Sequence, residues 1–245
     1  MNLYGLTDIG LVRKNNQDSY AIRVLDDNQA IAVVCDGMGG ARAGNVASAV
    51  AVEAFSAALE DACRQGIPND SDKKRSLLFN ACLAANAQVY ELSATNQEYF
   101  GMGTTLVAAL ILPSEVYVVN IGDSRCYIWH EGTLIQVTSD HSLVQALVDC
   151  GDITPEEART HPKKNVITRA LGVEEEARCD IFAFERHDGD KLLLCSDGLS
   201  NAVTDETMTI ELSAQISAED IAKVLLSRAV EQGAPDNVTV ILAQL

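Results

Sequence analysis

The chain has 245 residues, 47% of them hydrophobic and 22% charged, enough to bury a sizeable core as one large domain or two small ones. No apolar run approaches the roughly 20 residues of a membrane span, and the opening "MNLYGLTDIG" has no basic stretch leading into an apolar one, so neither a spanning helix nor a secretory signal is expected. A formal charge of −17 opposes binding to nucleic acid or anionic lipid, which recruit Lys and Arg; surplus acid reads instead as solvated surface, or as an attraction for divalent cations.

In chain order, "SYAIRV" (19–24) and "AIAVVC" (30–35) read as strands joined by a short polar turn, hence an antiparallel hairpin. The second strand runs into Asp36 and a loop holding three glycines. Two helical patterns follow. One, over 44–66, places Val46, Val50, Phe55, Leu59 and Ala62 near one stripe and stops at Gly66. The other, over 72–93, aligns Leu78, Cys82, Ala85, Val89 and Leu92, and the segment 65–74 between them reads as a linking loop. Strands are expected at 104–112, 115–121, 124–129 and 134–138, with tight polar connections that predict a meander. From 140 to about 172 the pattern breaks into short helical pieces, one opened by a capping box at Thr154, Pro155 and Glu157. Strands return at 180–185 and 191–196. A helix runs from Ser217, with Asp220 at its third position, to Gly233, and a strand over 237–245 ends the chain. Sequential helices between blocks of antiparallel strands give an α+β chain, and the pattern allows two packed sheets covered outside by helices.

The seven cysteines (35, 63, 82, 126, 150, 179, 195) form no C-x-x-C pair, which excludes zinc and disulfide frameworks and leaves buried free thiols in a reducing cytosol. Asp36 and Asp197 each follow an apolar strand and precede glycine; Asp236, in "GAPDNVTV", precedes the last strand. Three such strand ends converging would make an all-oxygen site for a hard cation, Mg²⁺ or Mn²⁺. Asp-Gly is also the commonest turn dipeptide, so spacing alone leaves both readings standing.

The motifs "GLVRKNNQDS" (10–19), "VCDGMGG" (34–40), "MGTTLVA" (102–108), "NIGDSRCY" (120–127), "TSDHS" (138–142), "ITRALG" (167–172), "CSDGLS" (195–200) and "PDNVTV" (235–240) run in order over nearly the whole chain. With them the sequence resembles the protein phosphatase 2C family of metal-dependent serine/threonine phosphatases (PPM type), in particular its compact bacterial members. The resemblance implies a four-layer α-β-β-α sandwich over residues 1–245 with a flap at about 140–172, two and possibly three Mn²⁺ or Mg²⁺ ions, and hydrolysis of phosphoserine and phosphothreonine by a water bridging two ions. It implies that Asp36 bridges the ions, that the Gly37 carbonyl completes one, and that Asp197 and Asp236 hold the other. Asp18 would support the cluster, Asp123 with Asp197 would form a third, weaker position, and Arg13 would grip the substrate phosphate. His141 is expected to order the flap through Asp140 or backbone groups; His161 reads either as a proton donor to the leaving oxygen or as a surface residue ending a short helix. Implied partners are phosphorylated proteins and a cognate serine/threonine kinase, with no nucleic acid or membrane, for a cytoplasmic monomer. Two readings compete: a scaffold of the same fold that has lost catalysis, and a two-metal phosphodiesterase acting on nucleic acid. One departure stands out: relatives commonly read D-G-M-G-G-H-x-x-G-E, whereas this chain has Ala41 and Asn45 at the His and Glu positions, with Arg42 as a neighbouring substitute contact.

Overall fold

The computed structural model describes residues 1–39 and 43–245. Among the described residues, eleven strands form two antiparallel sheets. β1 (Asn2–Asp8), β11 (Val238–Gln244), β10 (Lys191–Cys195), β7 (Arg125–His130) and β8 (Thr133–Gln136) make one, in that spatial order. β2 (Asp18–Asp26), β3 (Gln29–Met38), β5 (Leu106–Ile111), β6 (Glu115–Ile121) and β9 (Asp180–Glu185) make the other, with the two-residue β4 (Gly103–Thr104) paired to the end of β3. Helices α1 (Gly40–Arg64) and α2 (Ser71–Thr95) cover the second sheet. The short α3 (Leu143–Asp149) and α4 (Pro155–Thr160) lie in the 140–172 segment; α5 (Asp197–Ser200), α6 (Asp205–Ser213) and α7 (Ala218–Glu231) follow β10, and α6 and α7 cover the first sheet. Among the described residues no helix is long and apolar enough to cross a membrane.

The layering follows from strand periodicity. On β3, Ile31, Val33 and Cys35 pack toward α1 and α2, while Ala32 and Val34 face the opposite sheet. On β10, Leu193 and Cys195 face the helices and Leu192 and Leu194 face the sheet interior. The same alternation on β2 and β11 turns Tyr20, Ile22, Ile241 and Ala243 inward. Two-sided burial explains why these strands read as continuous apolar runs.

Three expectations are corrected. β3 does not stop at Asp36 but continues through Gly37 to Met38, because β4 pairs with its end. The 104–138 strands are no meander within one sheet. β5 and β6 form a hairpin in the second sheet, the turn at Gly122–Ser124 carries the chain across, and β7 and β8 form a hairpin in the first. The buried face of α1 is rotated from the expected stripe: Ala47, Ala51, Phe55, Leu59 and Cys63 are buried, while Val46 and Val50 are only partly so, since alanines let the helix lie close to the sheet. β1, α5 and α6 carry no expectation from the sequence. Helix α7 begins as expected, with Ser217 capping the Asp220 amide at 3.1 Å, and Thr154 and Glu157 form the expected capping box.

Gly122 makes the crossing turn possible. Its φ is +107°, and a Cβ there would lie 2.6 Å from Thr105 Cγ2. Gly122→Ala should therefore lower stability by about 1–3 kcal/mol, read as a shift in urea midpoint; an unchanged midpoint would show that the turn relaxes freely.

Candidate metal centre

The inward-facing parity of the strands ends in acid rather than hydrocarbon. Asp18 on β2 pairs directly with Asp36 on β3, and both continue the rows that face the opposite sheet. Asp197 opens α5 two residues beyond β10, Asp236 lies two residues before β11, and Asp123 occupies the turn between β6 and β7. Arg13, Asp36, Gly37, Asp123, Asp197 and Asp236 all line one cleft of about 470 Å³ at this end of the sandwich. The structure thus gathers every metal and substrate residue expected from the sequence around one opening, with Asp18 buried behind them.

Backbone clamps fix the acids. Thr104 Oγ1 and the Thr105 N–H both donate to Asp36 O at 2.9 Å, and the Asp36 N–H donates to Thr105 Oγ1 at 2.9 Å. Gly37 is required by close approach: a Cβ there would stand 1.9 Å from the Gly44 carbonyl oxygen of α1. Asn201 Nδ2 donates to Asp197 Oδ2 at 3.0 Å. Asp18 Oδ2 accepts from Ser196 Oγ and Thr239 Oγ1, each at 2.7 Å. Buried Asn237 accepts from the Gln17 N–H at 2.8 Å and donates to Ile9 O and Asn15 O at 2.9 and 3.1 Å, pinning the loop that carries Arg13. Thr104, Thr105, Ser196, Asn237 and Thr239 were not singled out by the sequence reading. Strand parity offered a signal for Ser196 and Thr239, which fall on the same inward rows as the acids.

Arg13 is engaged with Asp236 at 2.6 Å, and this bond raises its already high pKa. The remaining acids have no such cation. Burial, reinforced by Asp18 and the other three acids, drives the Asp36 carboxyl well above the ordinary range. Burial and the charge of Asp236 hold Asp197 at about 6, even though a hydrogen bond with Asp36 pulls the other way. Burial, then Asp197 and Asp140, raises Asp123 to about 8. Asp18 is held at about 6 by burial and by Asp197 and Asp236, against the pull of its two hydroxyl partners.

Among the described residues no three His, Cys, Asp or Glu side chains converge as a preformed metal cage; the acids ring the cleft instead. Three observations nevertheless fit a hard cation. All the donors are oxygen, Asp18 Oδ1 and Asp197 Oδ1 are buried with no hydrogen-bond partner, and the carboxyls raise one another's pKa. The arrangement can neutralise cationic charge and hold it beside an arginine that recognises anions.

Other expectations resolve as follows. His141 is buried and bonds to Gly122 and Thr168 backbone groups and to Asp180; Asp140 is taken instead by Arg125. His161 caps α4, its Nδ1 accepting the Lys163 N–H at 3.1 Å, and it does not line the cleft, which favours its reading as the end of a short helix. Cys35 and Cys195 are core residues, but Cys150 is exposed. Asn45 is exposed, and the readings placed on Ala41 and Arg42 lie outside the described residues.

Comparison with known proteins shows the family and the fold. A family model described as protein phosphatase 2C matches residues 12–234. The serine/threonine phosphatase stp of Listeria welshimeri is 40% identical over 238 residues, covering 97% of this chain and 93% of that protein. The crystal structure of the Mycobacterium tuberculosis serine/threonine phosphatase PstP/Ppp superposes with a TM-score of 0.88 at 40% identity, over 100% of this chain and 98% of the other. A structure of the catalytic domain of PstP in complex with two manganese ions gives a TM-score of 0.86 at 38% identity, over 99% and 97% of the two chains.

The raised carboxyls have a consequence for stability. Each binds its proton more tightly in the native state than its ordinary value of 3.8 allows once unfolded. Over that window the native state holds more protons, so its stability falls as pH rises. In chelator, the melting temperature should decline from about pH 4 through pH 8, and Asp123→Asn should flatten the part between about pH 6 and 8. Melting curves across pH check this; an Asp123→Asn profile parallel to that of the parent would contradict it.

Proposed function

This chain belongs to the protein phosphatase 2C family, and from that premise we propose that it is a metal-dependent phosphatase hydrolysing phosphoserine and phosphothreonine in proteins. The observation that carries the reading is the cluster of mutually repelling carboxyls, Asp18 buried and Asp36, Asp123 and Asp197 half-buried, with two unpartnered oxygens, open to a cleft rimmed by Arg13. The oxygen donors suit Mn²⁺ or Mg²⁺: Asp36, the Gly37 carbonyl, Asp197 and Asp236 would hold the ions. Asp123 with Asp197 would hold a third ion more weakly. When bound, such ions neutralise the phosphoryl oxygens and lower the pKa of water.

The chain's own residues do the rest. Asp36 is held within β3 by the bonds of Thr104 and Thr105 to its backbone, and Asp197, at the start of α5, is held by the Asn201 N–H on its carbonyl and Asn201 Nδ2 on its carboxylate, the kind of fixed placement that charge stabilisation requires. Asp18 anchors the floor, its Oδ2 tied to Ser196 and Thr239 while Oδ1 remains directed at no protein donor. Arg13 is half-exposed, and its guanidinium matches a phosphate in shape and charge; it grips substrate by exchanging Asp236 for the phosphoryl oxygens. Residues 1–245 act as one catalytic unit with 140–172 as its flap. The cytoplasmic, monomeric state and the pairing with a serine/threonine kinase belong to the same proposal, supported by the family alone.

Turnover of a phosphoserine peptide should require Mn²⁺ or Mg²⁺ and vanish in EDTA, and it should exceed turnover of bis-p-nitrophenyl phosphate. Asp36→Asn and Asp197→Asn should each lower kcat at least about 10²-fold with the fold intact. Full activity in chelator would remove the metal reading; preference for the diester would favour a phosphodiesterase, and no turnover at all would favour a scaffold.

Arg13→Ala should raise KM for the phosphopeptide more than it lowers kcat, because the contact is made to ground and transition state alike. It should not raise the cation concentration needed for activity, since it frees Asp236. An unchanged KM with a collapsed kcat would make Arg13 a transition-state group.

A further inference from the structure

His141 is 6% exposed, and both ring nitrogens are engaged. Its backbone N–H donates to Gly122 O at 2.9 Å, and its Nδ1 accepts the Gly122 N–H at 3.1 Å. One histidine therefore holds both polar groups of the glycine that precedes Asp123. Its own carbonyl accepts the Thr168 N–H at 2.7 Å, and Nε2 lies 3.1 Å from Asp180 Oδ2.

These bonds fix the tautomer. A nitrogen that accepts an N–H carries no proton, so Nδ1 is bare and the neutral ring holds its hydrogen on Nε2, directed at Asp180. Arg169 Nη1 lies 3.1 Å from the same Nε2 and 3.1 Å from Asp180 Oδ1; with Nε2 protonated, the guanidinium bonds to the carboxylate. Asp180 is itself set by its register opposite Asn120, whose Nδ2 donates to Ser139 O at 3.1 Å. On the other flank of the turn, Arg125 takes Asp140 through Nε and Nη2 at 2.8 and 2.7 Å, and Ser124 Oγ meets Thr105 Oγ1 at 2.7 Å. The first residues of the 140–172 segment, its last residues and the Asp123 turn all meet at one imidazole.

We propose that His141 is a positioning residue: the tautomer locked by Asp180 holds the Gly122–Asp123 turn and so sets both the presentation of the Asp123 carboxylate and the seating of the 140–172 segment against it. The inference rests on the reading of Asp123 as the third, weaker metal position. An apolar residue at 141 would leave the Gly122 N–H buried without an acceptor, which is why the position needs a ring that can accept on one side and donate on the other.

The tautomer can be read on the unaltered protein from the ¹⁵N shifts of the His141 ring. Nδ1 is expected unprotonated and Nε2 protonated; the reverse would overturn the proposal whatever the variants do. Two substitutions then separate the edges. His141→Asn can place an amide oxygen near the position of Nδ1 and still accept from Gly122, whereas His141→Gln reaches toward Asp180 and leaves Gly122 without its acceptor. Binding of Mn²⁺, measured as free ion by electron paramagnetic resonance, should show His141→Gln weakening the weakest site about 10–100-fold with the tighter sites unchanged. His141→Asn should lie nearer the parent. In an Asp123→Asn background, His141→Gln should cost nothing further at that site. Equal loss at tight and weak sites, or additive effects in the cycle, would mark His141 as merely structural. A weak site abolished by Asp123→Asn yet intact in His141→Gln would overturn the positioning role alone. A weak site unaffected by Asp123→Asn would overturn the metal reading of Asp123 and the role drawn from it.

Discussion

Five carboxyl groups are placed around one end of a hydrocarbon sandwich, and most of the local architecture answers the cost of putting them there. Isolated charges do not enter such an environment; they protonate or find opposite charge. Here Asp18, Asp36, Asp123 and Asp197 are all pushed toward the protonated form by burial and by one another. A fold that holds this arrangement is storing an affinity for cationic charge, and a protein whose formal charge is −17 has directed part of that excess inward.

The sandwich meets the constraint with elements it already has. Strand alternation brings Asp18 and Asp36 onto inward rows without any special loop, and the same alternation brings Ser196 and Thr239 within 2.7 Å of Asp18. Thr104, which ends β4, and Thr105, just before β5, tie the Asp36 backbone to the neighbouring strands. Asp123 lies on the tight turn between β6 and β7, one of the points where the chain crosses from sheet to sheet. It is braced by Gly122 at a φ of +107° and by contacts from Thr105 to Ser124 and from His141 to Gly122, with Asp140 holding the adjoining Arg125.

Much of this was legible in the sequence, for identifiable reasons. Asp36, Asp197 and Asp236 stood out as candidates because an acid beside a strand is a local event, although spacing alone left turn and metal readings open; the capping box and the long helices are local too. The crossing at Gly122 was not legible: a tight "GD" connection looks the same whether its strands share a sheet or face each other across one. The stripe of α1 came out rotated because alanines at 47 and 51 weigh little in a hydropathy pattern yet pack closest to the sheet. α6, with a mixed polar and apolar face, gave no period to read. The pairing of Arg13 with Asp236 joins residues 223 positions apart and depends on Asn237 pinning a loop, which no local pattern encodes.

The distribution of counter-charge separates structural acids from functional ones. Glu115 is bound by buried Lys74, which lowers its pKa, and Asp140 is held by Nε and Nη2 of the partly buried Arg125. Those cations lie within the packed body and cannot be exchanged without breaking it. Around the cleft the pattern inverts: Asp18 has hydroxyls alone, Asp197 has an amide, and Asp236 has Arg13, whose side chain is 49% exposed and rides on a loop. A permanent partner would satisfy these acids and abolish their use. Leaving them with weak or displaceable partners costs the protein stability at neutral pH and keeps their charge available for an exchangeable cation, which is the trade a metal-dependent hydrolase requires.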